Sequence, residues 1–409
     1  MKLQFLSPLY EHPGPIASVF LDTSRDLGAG DPDRAVELRW RKLRASLLAH
    51  EADPPTVDAV AEALGTDRDR EVAGRHGRGV FAAHGRVVLA ARLPEPPAED
   101  SARYGMLPDA MPLAFQRAPD IPYAAVVIHR LHGRGPGAGP GPDASPLPSP
   151  PPPHTPSPGL VTPRLPGGGP GPAPGPDGAG EELELEHETG RWPASRVSPG
   201  ARSHRRIPVE GWPKEAEQLL AELVAGVEAN GHEIVVVAGD PWAVNSLVRP
   251  APRKLHGHFV KLKDGGPARP EPGRALLEEE LAVLLDGRLS EHDRRELDAY
   301  LGQRARHREY VEGIAAAVAA LQRGQAQALI VNRPAAPAEH LWVGAAPTHL
   351  ALRGEDLHDF GLHYYWEEPA PGAALIRAAA GTQADLVVVS REELPLDDGV
   401  AVLLRYSPV

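Results

Sequence analysis

Apolar residues recur along this chain in two rhythms. In Ile16 to Thr23, IASVFLDT, and in Tyr123 to Leu131, YAAVVIHRL, they run almost unbroken, whereas in Glu182 to Glu188, ELELEHE, they alternate with acids at period two. Both patterns predict strands, and the alternating one predicts a strand with one face in water. Residues 79–93, GVFAAHGRVVLAARL, read as a hairpin about His84-Gly85-Arg86. A helical rhythm appears between Asp33 and His50, where Val36, Trp40, Leu43 and Leu47 share one face. A second helix starts at Pro213, a position where a first turn tolerates proline. Its stripe of Ala216, Leu219, Leu220, Leu223, Val224 and Val227 ends at Asn230-Gly231. EIVVVAG, from Glu233, predicts a buried strand; DPWAVNSLV, a helix capped by Asp240; and HFVKLK, a further strand. Strands alternating with helices imply a mixed, partly parallel sheet.

Towards the end, helices are expected over residues 274–286 and 290–322. The second is too long to run straight, and Gly302 and Gly313 are its expected bends. Its late apolar face is Val311, Ile314, Ala315, Val318 and Leu321, and AQALIVN, HLWVG, ADLVVVS and GVAVLLRY supply strands of a compact α/β/α sandwich. The proline-rich text from Pro94 to Pro122 closes the first domain loosely. Residues 133–180 are dominated by proline and glycine, too poor in apolar surface to offset their ordering entropy, and read as a disordered spacer. The flanking strands then form one hairpin whose turn the spacer swells. The expected domains are 1–118, α+β; 119–270, α/β with the insert; and 271–409, an α/β/α sandwich.

Composition narrows the function classes. At 409 residues the chain exceeds a single core, and a net charge of -12 argues against a general nucleic-acid coat, so any RNA contact is local. The absence of cysteine excludes disulfides, zinc ribbons and thiol catalysis and fits a reducing compartment. With no secretory signal and no apolar run of about 20 residues, the expectation is a soluble cytoplasmic protein without membrane or DNA partners. No cofactor is expected, since AGDPWA lacks the dinucleotide fingerprint. No metal is expected either, since His256-Gly257-His258 has no completing ligands nearby in sequence.

YVEGIAAAVAALQRGQAQALIVNR, from Tyr310, followed by ADLVVVSREELPLDDGVAVLLRY, from Ala384, resembles the third domain of archaeo-eukaryotic peptide chain release factors and of Pelota. Apart from the insert, the whole chain resembles the bacterial, actinobacterial branch of that superfamily, related to ribosome-rescue hydrolases and Balon-like hibernation factors. The resemblance implies a three-domain architecture of α/β and α+β parts, whose C-terminal sandwich shares the fold of a kink-turn-binding ribosomal protein. It also implies a first domain near the decoding site, a middle domain in the peptidyl-transferase centre, and a third that meets the ribosome or a translational GTPase such as elongation factor Tu.

Catalytic members of the superfamily place Gly-Gly-Gln between the middle hairpin and its following helix. Here that place holds ARSHRRIPVEGWPKEAEQLLAEL, from Ala201, and Gly-Gly-Gln occurs nowhere. Gly211, Trp212 and Pro213 mark the degenerate loop, Gln218 reads as a surface residue of the helix, and no catalytic residue is assigned. Arg191, Arg196, Arg202, Arg205 and Arg206 accumulate with no acid among them until Glu210. They read either as phosphate contacts to RNA or as a solvated loop. Arg39, Arg41, Lys42 and Arg44 around Trp40 read either as an RNA-facing helix or as a solvated face paired with Glu37 and its neighbours. The favoured function is occupation of the ribosomal A site without peptide release, in hibernation or stress. The alternatives are a peptidyl-tRNA hydrolase in ribosome rescue and a non-ribosomal regulatory scaffold.

Overall fold

The computed structural model describes residues 1–25, 31–65, 74–131, 181–198, 200–262, 273–334 and 340–406. The expected disordered spacer lies outside them. The first short helix, α1 (Ser7–Tyr10), precedes an antiparallel sheet of β1 (Ile16–Asp22), β2 (Gly77–Ala83), β3 (Arg86–Leu93) and β4 (Ser101–Gly105), in the order β3-β2-β1-β4. Helices α2 (Pro32–Ala49) and α3 (Pro54–Gly65) cover one face, where Val19, Leu21 and Val80 meet Leu43, Leu47, Val57 and Val60. Asp31 caps α2 by accepting from the amides of Asp33 and Arg34. The text between Pro94 and Pro122 is more ordered than its prolines suggest, since it holds β4 and helix α4 (Met111–Arg117).

The second sheet joins β5 (Ile121–Leu131), β6 (Glu182–Trp192), β7 (Arg202–Pro208), β8 (Ile234–Gly239) and β9 (Phe259–Lys261) in the order β7-β6-β5-β8-β9. β6 is antiparallel to both its neighbours, while β5, β8 and β9 run parallel. Helices α5 (Trp212–Asn230), α6 (Pro241–Val248) and α7 (Arg253–His256) pack on one face through Leu219, Leu223 and Leu247. Helix α8 (Gly273–Leu285) covers the other, setting Leu281 and Leu285 against Tyr123 and Val236. Gly239, at φ +109°, lets β5 approach so closely that a Cβ there would lie 1.9 Å from the Ile128 carbonyl oxygen.

Beyond lie α9 (Glu291–Val311), α10 (Ile314–Gln322), β10 (Ala326–Arg333), β11 (Leu341–Gly344), β12 (Leu350–Ala351), α11 (Gly354–Asp359), β13 (Tyr365–Glu368), α12 (Pro371–Gly381), β14 (Asp385–Ser390) and β15 (Val400–Leu404). They form two three-stranded sheets, β14-β10-β15 and β12-β11-β13. The long helix does break at Gly313, where φ is +89° and its N–H reaches the Val400 carbonyl. Gly302 stays helical, and the other irregularity falls at His307. Buried Glu312 secures the break by accepting from Arg304, Arg308 and the Asp397 amide.

One apolar core runs from Leu6, Phe20 and Phe81 through Leu113 to Leu329, Ile376 and Val402, so the first and last sheets share packing. Arg103 of β4 pairs with Glu368 of β13 across that contact. The class expected from the pattern, α/β together with α+β, is the class observed. Among the described residues no helix is long and apolar enough to cross a membrane.

Candidate functional site

Arg202, Arg205 and Arg206 lie on a strand and not in a loop, while Arg191 lies near the end of β6 and Arg196 closes a single 3-10 turn. Residues 202–208 form β7 and pair in register with β6, placing Arg206 opposite Glu184, His204 opposite Glu186 and Arg202 opposite Glu188. The acids missing from the arginines' own segment arrive from the next strand. Cross-strand pairs of opposite charge stabilise such a ribbon.

Each arginine of this group has a carboxylate within reach. Arg202 donates from Nε and Nη2 to Glu188 Oε2 at 3.1 and 2.9 Å. Glu188 is buried and also accepts from the Tyr123 hydroxyl at 3.1 Å. Arg205 points to the other face and meets Glu215 at 2.5 Å and Glu222 at 3.4 Å, both on α5. Arg191 chelates Asp120 at 2.7 and 2.8 Å. Arg196 lies over the Trp192 ring and 3.4 Å from Glu95. Arg206 has the loosest partner of the cluster, Glu184 at 3.9 Å, and its side chain is 63% exposed.

A pair of histidines sits beneath this ribbon. Burial pulls His187 below the ordinary histidine value, with Glu222 opposing the shift and Arg205 adding to it. His232 is lowered by burial and then by His187 and Arg191. Nε2 of His187 and Nδ1 of His232 are buried without hydrogen-bond partners among the described residues. Burial thus disfavours the charged form of both imidazoles.

β7 ends in a single 3-10 turn, Val209–Gly211, that passes straight into α5. The Val209 amide donates to the Glu181 carbonyl at 2.9 Å, so the turn is tied to the start of β6. Gly211 and Pro213 are exposed, but Trp212 is fully buried and its Nε1 donates to Ser246 Oγ at 2.6 Å. Gln218 lies on the exposed side of α5. Between Arg202 and Asn230 strand, turn and helix follow without a projecting loop, and Gln218, the nearest glutamine in sequence, is in α5 beyond the turn.

At the same end of the sheet Arg130 joins Asp240 at 3.0 Å and Glu181 at 2.6 Å, with its guanidinium 5.3 Å from the Trp242 ring. Asp240 also caps α6 through the Ala243 amide, as expected. The sequence reading missed this junction, although Arg130 and Asp240 close the two central parallel strands. His256 and His258 each contact a backbone carbonyl, Ala251 and Glu233 respectively.

The second basic group lies far along the chain, on α2. Arg39 is committed to Asp22 at 3.0 Å and Asp100 at 3.7 Å, and Arg41 to Glu37 at 3.2 Å. Lys42 and Arg44 are exposed and have no ion-pair partner among the described residues.

The resemblance drawn from the sequence is met by comparison with known families. Residues 172–306, from the end of the spacer through the middle sheet into α9, match the family described as bacterial archaeo-eukaryotic release factor family 2. That part of the chain is release-factor-like. Among solved structures, an archaeal translation termination factor is 14% identical, aligning 98% of this chain with 96% of its own at a TM-score of 0.19. An archaeal Pelota, solved bound to the ribosome, is 11% identical over 100% of this chain and 96% of its own, TM-score 0.33. Pelota of Archaeoglobus fulgidus is 12% identical over 81% and 79%, TM-score 0.29. Scores this low establish no common spatial arrangement. No curated protein matches the chain.

Proposed function

We propose that this chain is a ribosome-associated translation factor that occupies the A site of an idle or stalled ribosome without releasing peptide. The family match over residues 172–306 supports the class. The observation that carries the absence of release is the Val209–Gly211 turn, anchored by buried Trp212, which offers neither a projecting backbone nor an amide to position water at an ester. Of the candidate cations named from the sequence, exposed Arg206, Lys42 and Arg44 are the least committed to acids and the freest to meet rRNA phosphates. The proposal includes domains bounded at residues 118 and 270, a cytoplasmic setting, and a GTPase partner such as elongation factor Tu for the third domain.

A second reading, a scaffold whose partners are proteins, is favoured by one observation. Arg191, Arg196, Arg202 and Arg205 are already neutralised by acids of the same fold. Two assays on the purified full chain separate the readings. Co-sedimentation with 70S ribosomes across growth-phase extracts should show the chain in the ribosome pellet, and its absence there would favour the scaffold. Peptide release from stalled complexes should stay at background. Release well above background, and lost on Gln218→Ala, would make the chain a hydrolase.

A further inference from the structure

The sequence reading expected no metal, and it looked only where histidines stand close in sequence. The fold brings together a different set. His292 and Glu296 lie one turn apart on α9, and Asp385 opens β14; a ligand atom from each lies within 4.8 Å of the others. We infer that His292, Glu296 and Asp385 form an open three-ligand site for a divalent transition cation of the zinc class. This inference does not depend on the ribosomal reading.

A second observation concerns the same carboxylate. The Asp385 side chain is 4% exposed, and its Oδ2 takes His292 Nε2 at 2.6 Å and Lys2 Nζ at 2.9 Å. Its other oxygen, Oδ1, is buried and has no donor among the described residues. A buried charged acceptor left unsatisfied is costly, and nearly all such groups in folded proteins have a partner. A cation held between Asp385, His292 and Glu296 would supply one.

The surroundings suit an ion. The Gln327 amide donates to both Glu296 oxygens, at 3.0 and 2.9 Å, and holds that carboxylate in orientation as an outer-shell partner does. A cleft of about 410 Å³, lined by Lys2, Ser7, Gln383 and Asp385, lies against the carboxylate. One imidazole with two carboxylates is a borderline donor set. It suits zinc and its neighbours better than magnesium or calcium, which take more oxygens. Tetrahedral bonds of about 2.0 Å put donors roughly 3.3 Å apart, so the set closes by small rotations of His292 and Glu296, both only partly buried. A fourth position stays open to water. Among the described residues the ammonium of Lys2 competes for Asp385; its side chain is 73% exposed and free to swing away. The Met1 amino group is engaged instead with Asp293 and the Leu386 carbonyl. An ion here would clamp α9, the helix arriving from the middle sheet, onto β14.

The test is calorimetric titration of zinc chloride into the chelator-treated full chain, with melting followed in parallel. Wild type should bind about one equivalent at micromolar affinity or tighter and melt higher with zinc than without. His292→Ala and Glu296→Gln should each lose at least tenfold in affinity, and Gln327→Ala about tenfold. Lys2→Ala should bind several-fold tighter, which a site elsewhere in the chain would not do. Circular dichroism guards against misfolding, and in both ligand variants Asp385 keeps its Lys2 partner. No heat and no melting shift in wild type would overturn the inference. So would binding that survives His292→Ala and Glu296→Gln together, or magnesium binding as tight as zinc.

Discussion

Replacing Arg202 with alanine tests whether the arginines of β7 serve the fold before they serve RNA. The variant leaves Glu188, whose side chain is 8% exposed, with the Tyr123 hydroxyl as its remaining side-chain donor. Breaking a fully buried ion pair costs about 3–5 kcal/mol, and an exposed pair is worth about 0–1. Arg202 itself is 40% exposed, which places the expected cost between those limits, at about 2 kcal/mol. Amide hydrogen exchange on the intact chain reads this locally. Protection along β6 and β7, including the Thr189 amide bonded to the Ala201 carbonyl, should fall roughly 30-fold at about 1.4 kcal/mol per tenfold, while β1 to β4 stay unchanged. Adding Glu188→Gln removes the stranded charge and should restore most of the protection. A change under about twofold, or an equal loss in the Glu188→Gln background, would refute the charge argument. In the first case the arginine would return to the list of phosphate contacts.

Three further outcomes follow from the same geometry. Arg206→Gln, Lys42→Gln and Arg44→Gln should each leave the fold intact and lower the slope of log ribosome affinity against log salt by about 0.7–0.9; an unchanged slope in a pelleting series would clear that residue of phosphate contact. His187 and His232 are both depressed in the folded state, so the unfolded chain takes up protons first as pH falls. Their stabilisation is complete above about pH 6.5 and is lost below it, and the urea midpoint should drop between pH 7.5 and 5.5, less so in a His187→Gln, His232→Gln variant. Arg103→Ala should destabilise the contact between the first and last sheets by about 3 kcal/mol, because it strands Glu368, whose side chain is 1% exposed; melting of the Arg103→Ala, Glu368→Gln chain should recover part of the loss.

The sequence disclosed most where one rhythm dominated. The stripe from Ala216 to Leu223 gave α5 its buried face, and the alternation ELELEHE gave β6 with Leu183 and Leu185 inward. It disclosed least where short elements depend on partners far along the chain. β4, β12 and β13 are brief strands completed by neighbours, and the polar face of β7 makes sense only beside β6. A signal for β7 existed: RSHRRIP alternates too, with cations where ELELEHE has acids, and the two periods match in antiparallel register. The bend at Gly302 failed for a related reason. Glycine permits a break but does not cause one, and the cause at Gly313 is the pull of Val400 and the Glu312 network. The depressed histidines depend on burial, and the His292 cluster on residues about 90 positions apart, which no local pattern records.

Leu131 and Glu182 face each other as paired residues at the last rung of the β5–β6 ladder, so the chain leaves the middle sheet and rejoins it within one strand spacing. A connection anchored in this way imposes almost no geometric demand on what lies between its ends. Extending it from about six residues to about 50 adds roughly 2 kcal/mol of closure entropy, little enough for the surrounding sheet to absorb. The position therefore behaves as a splice point, where a fluorescent or affinity module could be grafted without widening the span that the sheet closes. Because Glu181 holds the Val209 amide, any such graft would emerge beside the entrance to α5. A reporter placed there would sense the end of the middle sheet that carries the Val209–Gly211 turn.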